Sequence, residues 1–270
     1  MYNYHQIILA LSLCISPSIC GALQFDIQDE IADTVTINNV ETQWRIGVNS
    51  SDSSVRTKCV EYLINACNKA DPIISRRAIS YLSTFSPADF SDATYQDLIR
   101  LLRDDHPLLS SVMKIVAYLQ LRSAVPTLRE LSNAETTSIR WAALIALARL
   151  RDESAVETIM KEVQRFPVDD DIVYYIFPDL IFTRNRELIA LVVKAVYSDE
   201  ELCYPPDAEQ NLRIRCAYRI IEQLAPVIRD FPLKLDAYGD LVANDYYQAL
   251  DSARKWLTKH PDFEIITDTF

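Results

Sequence analysis

One phrase recurs along this chain: a small residue, an aliphatic one four positions on, and an apolar one three beyond that. Cys59–Leu63–Ala66, Ala78–Leu82–Phe85, Val112–Val116–Leu119, Ala143–Leu147–Leu150 and Ala217–Ile221–Leu224 are its copies. Steps of four and three hold all three side chains on one face of a helix. The small leading residue lets a neighbouring helix come close. The copies led by Ala78, Val112 and Ala143 follow one another at nearly equal intervals, and the longer stretch from Ala143 to Ala217 leaves room for two units and an insertion. A second phrase repeats with the same spacing. Arg122-Ser-Ala124-Val125-Pro-Thr-Leu128 returns one interval later as Glu153-Ser-Ala155-Val156-Glu-Thr-Ile159, and each opens a second, shorter amphipathic helix. A period of roughly 30–40 residues with two helices per unit predicts an α-solenoid, in which each helix pair buries its apolar face only by stacking on the next.

Composition agrees. The chain has 3 glycines in 270 residues, where average usage would give about 7%. Sheets and tight hairpins need glycine for positive φ, so the turns here fall to Asp, Asn, Ser and Pro. No sustained strand alternation is present, and Thr34-Val35-Thr36-Ile37 reads as the lead-in to a helix. The expected fold is all-α: an α-solenoid of about five antiparallel helix pairs near 36–69, 71–104, 107–133, 137–166 and 169–198. Helices near 210–229 and 238–259 follow, the last acting as a C-terminal cap.

Several helix starts resemble one family. Asp52-Ser-Ser-Val55-Arg56 with Cys59 and Leu63, Ser138-Ile139-Arg140-Trp-Ala142-Ala143, and Asn211-Leu-Arg-Ile214-Arg215-Cys-Ala217 are similar to the Asp-x-x-Val-Arg-x-x-Ala phrase of HEAT repeats. The likeness is particularly to the short bacterial, phycobilisome-lyase-like type. Leu147-Ala-Arg-Leu150-Arg-Asp-Glu-Ser-Ala155-Val156 resembles that family's turn into an Ala-Val-x-x-Leu second helix. This chain departs from the pattern in having no glycine in that turn, and in lacking the arginine near Leu109 and Ile172. The resemblance covers roughly residues 36–230. It implies fold far more than function, because such arrays serve many roles.

The start of the chain reads as an export signal. Met1–Gln6 is polar, Ile7–Ile15 is a compact apolar run, Pro17 and Ser18 break it, and Cys20 and Ala22 supply small residues for cleavage. The run is shorter than the roughly 20 residues a bilayer span needs. The n-region carries only the α-amine and His5. A retained anchor or a buried first helix is the other reading. The expected division is a signal peptide over 1–22, a lead-in over 23–35, the repeat array over 36–230 and a helical cap over 231–270. Cleavage leaves Cys59, Cys67, Cys203 and Cys216. Cys59 and Cys67 stand eight apart in one helix, about 12 Å in rise, which is too far for a bridge. Export permits disulfides, and Cys203–Cys216 is the preferred pairing, with free buried thiols as the alternative.

Little in the chain points to chemistry. Its formal charge is −11, from 27 Lys and Arg against 38 Asp and Glu. That balance, without a dense basic window, argues against a nucleic-acid partner or an anionic membrane surface. Arg100, Glu130 and Lys161 align on the second helices with mixed sign, so no phosphate-binding ladder forms. After the leader only His106 and His260 remain, each before a proline, and no Cys/His spacing suits a metal. Asp104–Asp105 and Asp169–Asp171 lack calcium-loop spacing and read as helix caps. No nucleophile, phosphate-binding or dinucleotide motif is present. No cofactor is expected.

Two places break the repeat. In Tyr174-Tyr175-Ile176-Phe177-Pro178-Asp179-Leu180-Ile181-Phe182, Tyr175 takes the small slot, Asp179 takes the aliphatic slot and Pro178 falls inside the helix. The stretch is either a rearranged core or an aromatic binding surface, since aromatics are enriched at interface hot spots. The acidic insertion 199–209 carries Tyr204. The candidate binding residues are therefore Tyr174, Tyr175, Phe177, Phe182 and Tyr204. The favoured function is an exported, non-catalytic scaffold for a protein partner, with no stable membrane insertion once the signal is cleaved. The alternatives are an accessory structural subunit of a cell-envelope assembly, or a HEAT-fold enzyme of lyase type.

Overall fold

A computed structural model of the chain describes residues 35–69, 71–102, 106–205, 212–237, 239–243 and 245–270. The signal-peptide expectation, most of the lead-in, the Asp104–Asp105 turn and part of the 199–209 insertion lie outside these residues.

The described chain is helical, with twelve α-helices and no named strand among the described residues. They are α1 (Ile37–Asn49), α2 (Ser53–Cys67), α3 (Pro72–Leu82), α4 (Asp92–Leu101), α5 (Leu109–Tyr118), α6 (Val125–Leu131), α7 (Thr137–Arg149) and α8 (Glu153–Val163). After a π-helical turn at Ile172–Ile176 come α9 (Phe177–Phe182), α10 (Arg186–Ala195), α11 (Ala217–Leu224) and α12 (Tyr246–Lys259). Side-chain caps set many starts. Asp52, Asp71, Asp152, Asn185 and Asp245 each accept backbone N–H bonds from the first turn of the helix that follows, satisfying donors a helix start leaves open.

Odd-numbered helices form one continuous row: α1 packs on α3, α3 on α5, α5 on α7, α7 on α9 and α9 on α11. Among the even-numbered helices, α2 packs against α4 and α8 against α10. This is the stacked arrangement the recurring phrase predicts. All fifteen residues of its five copies are buried. At Gly47 a Cβ would meet the Phe85 ring at 2.7 Å and Cys59 Cβ at 2.9 Å, so Cys59 fills its small slot against a near-bare backbone. The arginine of the family-like phrase also has a repeated job. Arg56 Nη1 donates to Ser50 O at 3.1 Å and Arg140 Nη1 to Ala134 O at 2.8 Å, each six residues back. Each thereby ties a helix's first turn to the loop that feeds it.

The glycine-less turns adopt the glycine conformation anyway. Gln120, Arg151 and Arg184 have φ of 56°, 68° and 52° at the ends of α5, α7 and α9. At the first two, the next residue's N–H reaches back five positions (Leu121 to Val116 O, Asp152 to Leu147 O). That is the Schellman closure usually made by glycine.

The C-terminal region differs from the expected helical cap. Among the described residues of 231–270, only 246–259 is helical. Residues 231–243 form an irregular excursion closed by a Leu235–Leu241 bridge, with Gly239 at φ 87° in its turn. α12 packs on α11. Its Arg254 donates to Val196 O, Ser198 O and Asp199 Oδ1 beyond the end of α10. Past Lys259 the chain doubles back as an extended strap. Ile265 pairs with Ile228, and Thr269 and Phe270 reach α5, α7 and α9.

Candidate functional site

The π turn governs the stretch singled out by its aromatics. Pro178 has no N–H to give and its ring would collide with a carbonyl four residues back. The helix answers by widening: the Phe177 N–H bonds to Ile172 O, five residues back. The extra residue shifts the register. The steps of four and three are carried by Val173, Phe177 and Leu180, all buried. Tyr175 and Asp179, expected in the phrase slots, are turned out of the core.

This corrects part of the candidate set. Phe177 and Phe182 are core residues and offer nothing to a partner in this conformation. Tyr174, Tyr175 and Tyr204 are exposed, Tyr175 at 72%. Asp179 has a specific position: Oδ1 accepts from Lys114 Nζ at 2.6 Å and Oδ2 from Trp141 Nε1 at 2.7 Å. It bridges α9 to both α5 and α7, which a leucine in that slot could not do.

Tyr175 stands at the mouth of an open cleft of about 700 Å³ between the first half of α7, the end of α8 and the π turn. Trp141, Leu144, Val163, Phe166 and Ile172 line it with Tyr175, and Phe166 is 60% exposed. Asp169 Oδ1 accepts from Ile172 N at 3.2 Å, capping the turn as expected.

On its other flank the π turn adjoins a tyrosine–arginine cluster. Burial works against the Arg219 charge. The Glu222 carboxylate at 2.9 Å, with smaller help from Tyr174 and Tyr246, nevertheless raises its pKa above the ordinary value. Tyr246 donates to Glu222 Oε1, the Tyr218 ring meets those of Tyr246 and Tyr247 edge-on, and Arg215 sits over Tyr247.

The insertion is pinned beside this cluster. Cys203 and Cys216 form a disulfide, Cα to Cα 5.0 Å, as preferred from the sequence. Tyr204 N donates to Asp170, and Arg213 stacks on the Tyr204 ring with its centre 4.8 Å away. The free thiols Cys59 and Cys67 are buried. Burial raises both, Cys67 to about 12.

Sequence reasoning missed Phe166, Trp141, Tyr246 and Tyr247. Phe166-Pro167 follows a helix end, and an aromatic in an inter-helix loop was the available signal. Tyr246 and Tyr247 were hidden inside a helix read only as a cap. Among the described residues no group of His, Cys, Asp and Glu is arranged to hold a metal ion, and no helix is long and apolar enough to cross a membrane.

Residues 139–164 match the family model described as PBS lyase HEAT-like repeat. The match runs from the first turn of α7 through α8, so the chain carries a HEAT-like repeat there, and the cleft opens at one end of that repeat. No curated protein matches the chain.

Proposed function

We propose that this chain, built on HEAT-like repeat structure, is an exported, non-catalytic scaffold that grips a protein partner at the cleft beside the π turn. One observation carries the reading. The cleft is about 700 Å³, mainly apolar, and has Tyr175 and Phe166 exposed at its mouth. Exposed aromatics gathered round a concavity are the composition of interaction hot spots. A π turn in an otherwise α-helical array often accompanies function. Stacked helix pairs need no special chemistry to present such a surface. Export is supported by the leader-like segment 1–22 and by the Cys203–Cys216 disulfide, which suits an oxidising compartment. The array limits of 36–230 remain part of the proposal.

The test is site-specific photocrosslinking from position 175 in the native compartment, followed by mass spectrometry. The expected result is one dominant protein adduct that disappears in a Tyr174→Ala/Phe166→Ala variant with unchanged helicity. An adduct unaffected by those changes, or none at all, would move the partner site elsewhere. Substrate turnover by the purified chain that is lost when Tyr175 becomes Ala would replace the scaffold reading with an enzymatic one.

A further inference from the structure

A second surface lies under the strap, away from the cleft and independent of the reading above. Arg149, closing α7, is 2% exposed and Arg184, after α9, is 5% exposed. No Asp or Glu side chain pairs with either among the described residues, and the Nε atoms of both have no hydrogen-bond partner. Desolvation, reinforced by the neighbouring Arg184 charge, pushes the Arg149 guanidinium down to about 9. Two buried like charges are unfavourable unless oxygen atoms surround them.

The strap supplies some of those oxygens. Thr269 O accepts from Arg149 Nη2 at 2.7 Å, and Thr269 Oγ1 and Phe270 O each accept from Arg184 Nη2 at 3.0 Å. Further up, Arg186 donates to Phe263 O at 2.6 Å and lies over the Phe263 ring, and Arg229 pairs with Glu264 at 2.8 Å. Four arginines therefore hold one short segment. The Phe270 ring rests against Tyr118 and Phe182, centroids 5.5 and 5.1 Å away. The Arg149 guanidinium faces the same two rings.

The seat is deep but the occupant is shallow. Residues 267–270 are all exposed, and Phe270 is 39% exposed beside an open cavity of about 480 Å³. Segments with few buried contacts open at low free energy. Lifting residues 267–270 would uncover arginine, tyrosine and phenylalanine together, the residue types enriched at interface hot spots.

The geometry points to a peptide-docking groove on α5, α7 and α9 for an extended, acidic–aromatic segment of a partner protein, with residues 267–270 as its displaceable resident. The strap's own composition states the chemistry that fits. It carries Asp262, Glu264 and Asp268 together with Phe263 and Phe270. A partner segment with a side-chain carboxylate beside an aromatic ring would reach the Nε donors that the strap leaves unused. It would also bring a side-chain carboxylate to guanidiniums with which no Asp or Glu pairs among the described residues.

The experiment uses the full chain and a fluorescein-labelled, C-terminally amidated synthetic peptide with the sequence of residues 260–270, read by fluorescence anisotropy. Phe270→Ala loosens the strap and leaves the groove intact. It is expected to bind the peptide about tenfold more tightly than the unchanged chain, because a closed competitor lowers apparent affinity by its occupancy. Thr269→Ala removes one Arg184 bond and is expected to move affinity in the same direction by less. Replacing both phenylalanines of the peptide by alanine is expected to abolish binding. Three results would overturn the inference. One is a folded Phe270→Ala chain binding no more tightly than the unchanged chain. Another is equal binding of the alanine peptide. The third is concentration-dependent dimerisation of the unchanged chain that disappears in Phe270→Ala, which would give the groove to a second copy.

Discussion

Arg151→Gly is expected to stabilise the protein, although it deletes a long side chain and adds the most flexible residue. Arg151 has φ 68° at the end of α7, with its N–H bonded to Ala148 O and the next N–H to Leu147 O. An L-residue held in the left-handed region is strained by about 1–2 kcal/mol, and glycine is not. Against this, glycine's freedom in the unfolded chain costs about 0.5–1 kcal/mol. The Arg151 side chain is exposed, makes no hydrogen bond or ion pair among the described residues, and adds to the charge that disfavours the Arg149 cation. The net expectation is a gain of about 0.5–1 kcal/mol, or about 2 °C in Tm for a chain of this size. Thermal and urea unfolding followed by circular dichroism in the far ultraviolet would measure it. The same change at Arg184, whose φ is 52°, is expected to cost about 2–4 kcal/mol. There the side chain donates to Ile181 O, Thr269 Oγ1 and Phe270 O from a buried position. A less stable Arg151→Gly chain, or an Arg184→Gly chain as stable as its parent, would refute the argument that turn strain and strap anchoring are separable.

Three other expectations follow from particular contacts. Gly47→Ala gains helix propensity but drives a methyl into the Phe85 ring and Cys59; a net loss of about 1–2 kcal/mol is expected by urea titration. Replacing Cys203 and Cys216 together by Ser opens a closure across 13 residues, and a loss of about 3 kcal/mol should appear in the non-reduced protein and not under reductant. Cys59 and Cys67 are buried, with the Cys67 thiol raised to about 12. Peptide mapping after iodoacetamide at mildly alkaline pH should find both unmodified in the native protein and both alkylated in denaturant, since the thiolate is the reactive form.

What the sequence revealed and what it concealed divide by range. Ala78, Val112 and Ala143 announce their burial because helical periodicity is local, and neighbouring copies confirm one another. The turn conformation at Gln120 and Arg151 was concealed, since neither is a residue that normally signals positive φ. Pro178 advertised a disturbance at Tyr174–Phe182 but not its form. A bend and a π turn share that sequence signal, and only the π turn rotates Phe177 inward and Tyr175 outward. The strap was invisible, because Asp262–Phe270 has no helical period and its contacts lie up to 120 residues away. Arg149 looked like any surface arginine until the chain returned to cover it.

That return changes the mechanics of the array. Stacked helix pairs touch only their neighbours, so such a chain can fray from an end, one unit after another. Here the Arg149–Thr269 bond closes a belt around everything between them. While the belt is fastened, α12 cannot peel away before residues 267–270 lift from Arg149 and Arg184, and hydrogen exchange at α12 should rise in any variant that loosens them. Whatever unfastens the belt turns that block back into a zipper. A ligand that took the strap's seat would therefore be felt as a change in cohesion at α12, far along the chain from the groove it occupies.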